Sequence, residues 1–393
     1  MSGSAPCLAA AAALLLLAAV AAPAQDSRQV REPRFPPTGV VLAARRQGPG
    51  GHAALDTARI QQAIAQCPPG HSVLLRRQGP DDAFVSGPLR LRPGVTLRIG
   101  RGVTLYAARN PRLYDRRPGS CGILDRGGHG CWPFILVANA PDAAVMGPGT
   151  INGQGGRRWR GHAPARPGAP ATWWALARQA QRRHLRQNCP RLLLIKHSDN
   201  FTLYRLRLVD AANFHVLFAR GRGFTAWGVI VDTPATARNT DGIDVLSGQD
   251  VSILHCYIHA GDDDVAIKAG VAGPARDITV ANDHFYTGHG MSIGSETSGG
   301  VSAVRVRNLT VDGAVNGLRI KSNASRGGLV TNVTYDNICL RDVRHPIVVN
   351  AFYGLPRHGR AAPAGGSPPV FRGIVFRRVT ILGAGRIVLD GYS

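Results

Sequence analysis

Along most of this chain the apolar residues come in runs of three to five, rich in Val, Ile and Leu, separated by Gly, Pro, Asn or Asp rather than by helical stretches. From Arg191 onward the runs repeat. Aligning Phe201, Phe224, Val251, Ile278, Val304, Val333 and Ile374, each the first residue of an apolar-polar-apolar triplet, gives steps of 23, 27, 27, 26, 29 and 41 residues. The last step contains the Pro/Gly-rich segment LPRHGRAAPAGGSPP. Units of this size built from short β runs are rungs of a solenoid, each burying its apolar face on its neighbours. The pattern predicts an all-β, right-handed parallel β-helix; a sandwich would show longer alternating strands and hairpin turns. Earlier in the chain, LRLRPGVTLRIGRGVTLYAA alternates in the same short-strand manner.

Two segments break the β pattern. In TARIQQAIAQC, residues 57–67, Ile60, Ala63 and Ile64 share one helical face, which predicts a short N-terminal helix. In the Arg-, Pro- and Ala-rich region 155–190, TWWALARQAQRRHLRQN reads as a basic helix, with Trp173 and Trp174 packing it onto the body. The apolar run LAAAAALLLLAAVAA ends in Ala22-Pro23-Ala24, a small-x-small cleavage pattern, so residues 1–24 are expected to be a signal peptide and the protein to be secreted. No later stretch approaches the roughly 20 apolar residues of a membrane span. Residues 25–50, polar and punctuated by Pro and Gly, are expected to form a tether or a first strand, and 51–393 the β-helix.

Composition adds a surplus of cations: 47 Lys+Arg against 24 Asp+Glu, a net charge of +23, of which only Lys196, Lys268 and Lys321 are lysines. Such a surplus attracts polyanions, whether nucleic acid, an anionic membrane or an acidic polysaccharide, without choosing among them. Six cysteines remain beyond the signal. Cys121 and Cys131 bracket a Gly-rich loop whose closure is local, which makes them the expected disulfide; Cys256 and Cys339 lie in strand-like runs and are expected as free buried thiols. No paired C-x-x-C spacing suggests zinc, so no metal is expected.

Candidate chemistry sits in four polar islands between Asn239 and Lys321. Rung counting places Asp241, then Asp262 and Asp263, then His289, then Arg319 and Lys321 on successive rungs, with Asp262 and His289 at the same offset. Equivalent residues on adjacent rungs lie roughly 5 Å apart. Stacked acids repel unless they are used, and clustered acids raise one another's pKa, as a general acid and base near neutral pH require. The expectation is one outward groove with three carboxylates, an imidazole and two cations.

These islands, NTDGID, GDDDVAIK, GHGMSIGSET and NGLRIKS, resemble, in order and spacing, the four signature motifs of the polygalacturonases of glycoside hydrolase family 28. The resemblance runs from about Asp56 to the end of the chain, through GPGTINGQG, PRLLLIKHSDNFTLY, NFHVLF and GFTAW, and is strongest to bacterial endo-acting members. It implies a cofactor-free hydrolase of the α-1,4 bonds of polygalacturonate, an acidic polysaccharide, acting with inversion, as a monomer, with no nucleic-acid or membrane partner. Asp262 would be the general acid, and Asp241 and Asp263 would activate water. His289 would tune the acid or hold substrate; Arg319 and Lys321 would grip a uronate carboxylate; Tyr353 would touch substrate. Inversion implies carboxyls roughly 6.5–9.5 Å apart. Exo action, another pectin-backbone hydrolase, a pectate lyase and a non-catalytic polyanion-binding β-helix are the other readings. The resemblance also implies further strands beyond Ile374–Ser393, so a short C-terminal cap with an exposed edge is expected.

Overall fold

The computed structural model describes residues 25–50, 54–161, 170–355 and 367–392. The signal segment, most of the Pro/Gly-rich segment before Ile374 and part of the Arg-rich region therefore lie outside the described residues. The chain winds into a right-handed parallel β-helix. The aligned triplets pair in the predicted register: Phe224 with Val251, Val251 with Ile278, Ile278 with Val304, Val304 with Val333 and Val333 with Ile374. The side chains of Phe201, Phe224, Val251, Ile278, Val304 and Val333 are fully buried and stack along the axis.

Polar corners keep the rungs in step. Asn282, Asn308 and Asn337 all take left-handed backbone angles, which Asn tolerates, and their amides form a ladder: Asn308 Nδ2 donates to Asn282 Oδ1 (2.8 Å) and Asn337 Nδ2 to Asn308 Oδ1 (2.9 Å).

One face of the helix is a ten-stranded, all-parallel sheet whose strands follow chain order: Leu89–Arg90, Ile135–Ala138, Leu193–Lys196, Val216–Ala219, Ile243–Leu246, Val265–Lys268, Met291–Ile293, Asn316–Lys321, His345–Asn350 and Val388–Asp390. This sheet forms the floor of the groove. Because side chains alternate along each strand, every second residue points outward.

The ends differ. Helix α1, Thr57–Gln66, packs Ile60, Ala63 and Ile64 on the core as its periodicity predicts. Residues 25–43 are docked rather than loose: Asp26 is buried, its Oδ2 accepting from Ser252 Oγ (2.6 Å), and Thr38–Ala43 pairs parallel with Ser72–Arg76. At the other end the strand Val370–Leu382 leaves Val375, Ile381 and Leu382 exposed. Helix α2, Trp173–Arg182, is capped by Thr172, whose Oγ1 accepts from the Ala175 amide. Trp173 is buried edge-on against Tyr114 and Trp159, and Trp174 donates Nε1–H to the Ala211 carbonyl (2.9 Å), so both tryptophans pack.

Cys121 and Cys131 are disulfide-bonded. Cys256 is a free buried thiol as expected, but Cys339 is half-exposed. It pairs with Thr310 and Thr380, a register that points outward between the buried Ile338 and Leu340.

Candidate active site

The six predicted polar residues converge at the middle of the groove. Three corners, each entering a strand of the floor, carry Asp241, the Asp262-Asp263 pair and His289; Arg319 and Lys321 project from the floor itself. The GHG corner needs both glycines, since Gly288 and Gly290 have φ of 59° and 58°. A Cβ on Gly290 would also meet the Gly317 carbonyl oxygen at 2.2 Å. His289 donates its amide to the Asp262 carbonyl (2.8 Å), so imidazole and acid share one scaffold.

The rung offset is corrected by one residue. Val265 pairs with Met291, so His289 stands level with Asp263, not Asp262. Tyr286 is level with His259, yet Met291 follows Tyr286 by five positions and Val265 follows His259 by six; the shorter corner slips the register.

The carboxylates are also closer than inversion alone implies. One oxygen from each of Asp241, Asp262 and Asp263 lies within 4.8 Å of the others. Acids placed on one rung and its neighbour, spaced about 4.8 Å, bring these oxygens nearer to one another than the roughly 6.5–9.5 Å between the carboxyls of inverting enzymes. Oxygens at this distance can still share one water, hydrogen-bonded at about 2.8 Å to each.

Arg319 and Lys321 leave the same strand face as predicted, but both are engaged by Asp263. Arg319 pairs with Asp263 Oδ1 and donates Nε–H to Ser292 Oγ (3.0 Å), while Lys321 Nζ donates to Asp263 Oδ2 (2.8 Å). Burial would raise the Asp263 carboxyl, yet Lys321, Arg319 and Lys268 together hold it well below the usual carboxylate range. Asp241 goes the other way: burial, with Asp244 and Asp262 nearby, pushes its pKa well up against the pull of Lys268. The cluster therefore sets a carboxyl with a raised proton affinity beside one that its cations hold in the ionised form. His289 is pushed down by burial and by Arg319, and is neutral at pH 7; Asn316 Nδ2 donates to its Nδ1 (2.9 Å), which leaves the proton on Nε2.

This is where, among the described residues, acids gather closely enough to hold a cation. A metal would have to displace Arg319, Ser292 and Lys321 from Asp263 and compete with Lys268 at Asp241. The existing charges suit water and a uronate better.

Several participants lie outside the predicted set. Lys268, the last residue of GDDDVAIK, pairs with Asp244, sits 3.5 Å from Asp241 Oδ2 and lies over the Phe214 ring. Burial raises Asp244 to about 6 despite Lys268. Asn239 Nδ2 donates to Asp262 Oδ2 (3.1 Å). Behind Asp241, buried His215 donates Nδ1–H to the Asp241 carbonyl (2.9 Å) and accepts from Thr233 Oγ1 on Nε2 (2.8 Å); burial lowers its pKa to about 4. All but Thr233 belong to segments quoted for the resemblance, so their signal was present in the sequence.

Tyr353 stands at the edge of the site, 38% exposed, with Lys321 Nζ 5.2 Å from its ring centre. It lines a cavity of about 650 Å³ together with Asn316, His345, Asn350 and Arg386. On the opposite side a cavity of about 460 Å³ is lined by Gln187, Arg191, Phe214, Asn239, Asp244 and Lys268. The acids thus sit between two open stretches of groove.

Residues 130–380 match the profile of Glycosyl hydrolases family 28. The chain belongs to this family. Among family 28 relatives it is 41% identical to an endo-polygalacturonase of Pectobacterium carotovorum subsp. carotovorum over 94% of this chain and 86% of that protein. It is 36% identical to a polygalacturonase of Ralstonia solanacearum over 85% and 67%. The solved polygalacturonase from Erwinia carotovora ssp. carotovora superposes with a TM-score of 0.81 at 36% identity, covering 94% of this chain and all of that one. No described helix is long and apolar enough to cross a membrane.

Proposed function

We propose that this family 28 hydrolase cleaves the α-1,4 bonds of polygalacturonate at internal positions and with inversion. The observation that carries the reading is the juxtaposition of three carboxylates within 4.8 Å with Lys268, Arg319 and Lys321 in the floor of a groove open on both sides. Of the three acids only Asp262 is half-exposed; Asp241 and Asp263 are buried. Asp262 therefore reaches the glycosidic oxygen and protonates it as the bond to the anomeric carbon breaks. A water shared by Asp241 and Asp263 attacks from the opposite face and gives one proton to Asp241, the more basic of the two, while its other hydrogen stays on the new anomeric hydroxyl and is hydrogen-bonded to Asp263. The cycle starts with the proton on Asp262 and ends with one on Asp241; its return to Asp262 changes no net charge and restores both groups. His289, neutral, offers Nε2–H to substrate, and the ammonium of Lys321 has two donors left for a uronate carboxylate.

Incubation with polygalacturonic acid tests this. Mixed oligomers early in the digest support internal cleavage, monomer or dimer alone means exo action, and no new reducing ends rejects the assignment. Proton NMR of the first product decides the stereochemistry, because carboxyls this close also occur in retaining enzymes; β-configured reducing ends are expected. Unsaturated products abolished by EDTA would mean a lyase. The protein acts outside the cell as a monomer, and N-terminal sequencing of exported material is expected to begin at Gln25.

A further inference from the structure

The chain has only three lysines among 47 basic residues, and all three fall in one row of the groove floor. Lys196 pairs with Ala219, Ala219 with Leu246 and Leu246 with Lys268. Two rungs further on, the pairing of Ile267 with Ile293 and of Ile293 with Ile320 puts Lys321 in the same row. The row runs from Ala138 to Asp390 without an arginine. In a chain this strongly biased to Arg, every basic residue of the row is Lys and every Lys is in the row. A compact ammonium on a flexible stem can meet a uronate carboxylate from a shallow floor without the fixed planar approach that a guanidinium fork imposes.

Two of the three lysines belong to the catalytic cluster. The third lies three rungs, or about 14 Å, upstream of Lys268. Lys196 is half-exposed and makes no ion pair among the described residues. The cavity around it is lined by Arg116, His129, Trp132, Arg191 and Leu194, with no Asp or Glu among its lining residues. Trp132, 39% exposed, carries the Arg116 guanidinium 4.5 Å from its ring centre and is anchored beside the Cys121–Cys131 disulfide. A flat aromatic face next to unpaired cations is what a sugar ring bearing a carboxylate requires.

We infer that Lys196, with Arg116 and Trp132, forms a remote uronate-binding site that holds the same polygalacturonate chain three rungs from the bond being cut. This rests on the proposed polygalacturonate activity. The measurement is the ratio of kcat/KM on long polygalacturonate to kcat/KM on the galacturonate trimer, for the wild type and Lys196→Gln. Because the ratio is taken within one preparation, partial misfolding cancels. Loss of a charge-assisted hydrogen bond is expected to lower the ratio about ten-fold, through KM on the long substrate. A ratio within two-fold of the wild type overturns the inference. A wild type that cleaves neither substrate overturns instead the activity on which it rests.

Discussion

One row of the groove floor reads Leu136, Leu194, Leu217, then Asp244, Ala266, Ser292, Arg319. The upstream half is apolar; the downstream half holds charges that are buried and mutually compensated. The backbone is the same in both, so the solenoid supplies only spacing, and the side chains at equivalent positions decide whether a rung carries a chain or cuts it. Polar residues this buried are tolerated downstream because each has a partner one or two strands away: Lys268 on the next strand for Asp244, and for Arg319 Ser292 on the adjacent strand and Asp263 two strands back.

Removing the reactive groups tests the downstream half most sharply. Asp262→Asn is expected to lower kcat on polygalacturonate by about 10²–10⁴-fold with little change in melting temperature, since Asp262 is half-exposed and its main partner is an Asn239 amide. Asp263→Asn should fail differently. It leaves Arg319 and Lys321 buried without their carboxylate, so denaturant unfolding should show a loss on the order of 3–5 kcal/mol together with the loss of activity. Equal stabilities for the two variants would dissolve the distinction between reacting and compensating acids.

The strand Val216–Ala219 marks the boundary, and the histidine just before it gives the next effect. His215 has a folded pKa depressed to about 4, so the unfolded chain binds more protons between about pH 6.5 and 4. Stability is therefore expected to fall as pH drops through that window, by on the order of 3 kcal/mol from this group. Asp244, raised to about 6, opposes it: its contribution rises as pH falls from about 6 to 4. A His215→Gln variant should lose the acid-side decline, as read from urea midpoints across the window. In Lys268→Met, Asp241 and Asp244 lose their cation and both bind protons more tightly, so the acid limb of kcat/KM should move to higher pH. The smallest effect is expected from Tyr353→Ala, a two- to three-fold rise in KM from lost stacking at the half-exposed edge.

Much of this was legible in the sequence because a solenoid turns spatial neighbours into a sequence period. The triplets from Phe201 to Val333 share one apolar-polar-apolar pattern, and they pair with one another and with the Ile374 triplet in that register. What stayed hidden depended on single-residue differences between corners or on contacts across several rungs. The shorter Tyr286–Met291 corner moved His289 level with Asp263. Nothing in the local sequence of Arg319 and Lys321 shows that Asp263, 56 and 58 residues earlier, already occupies them. Lys268 lies in a motif read for its acids, and its role appears only once Asp241 and Asp244 are seen to face it. Cys339 looked buried because its neighbours are apolar, whereas strand alternation sets its direction.

The row of lysines has a practical consequence. Apart from the amino terminus, the protein's only primary amines lie along its groove, Lys321 buried and Lys268 and Lys196 half-buried. Reagents that acylate or cross-link amines, including the common resins for immobilising enzymes, would attach either at the chain's start or directly in the path of the polymer it is meant to receive.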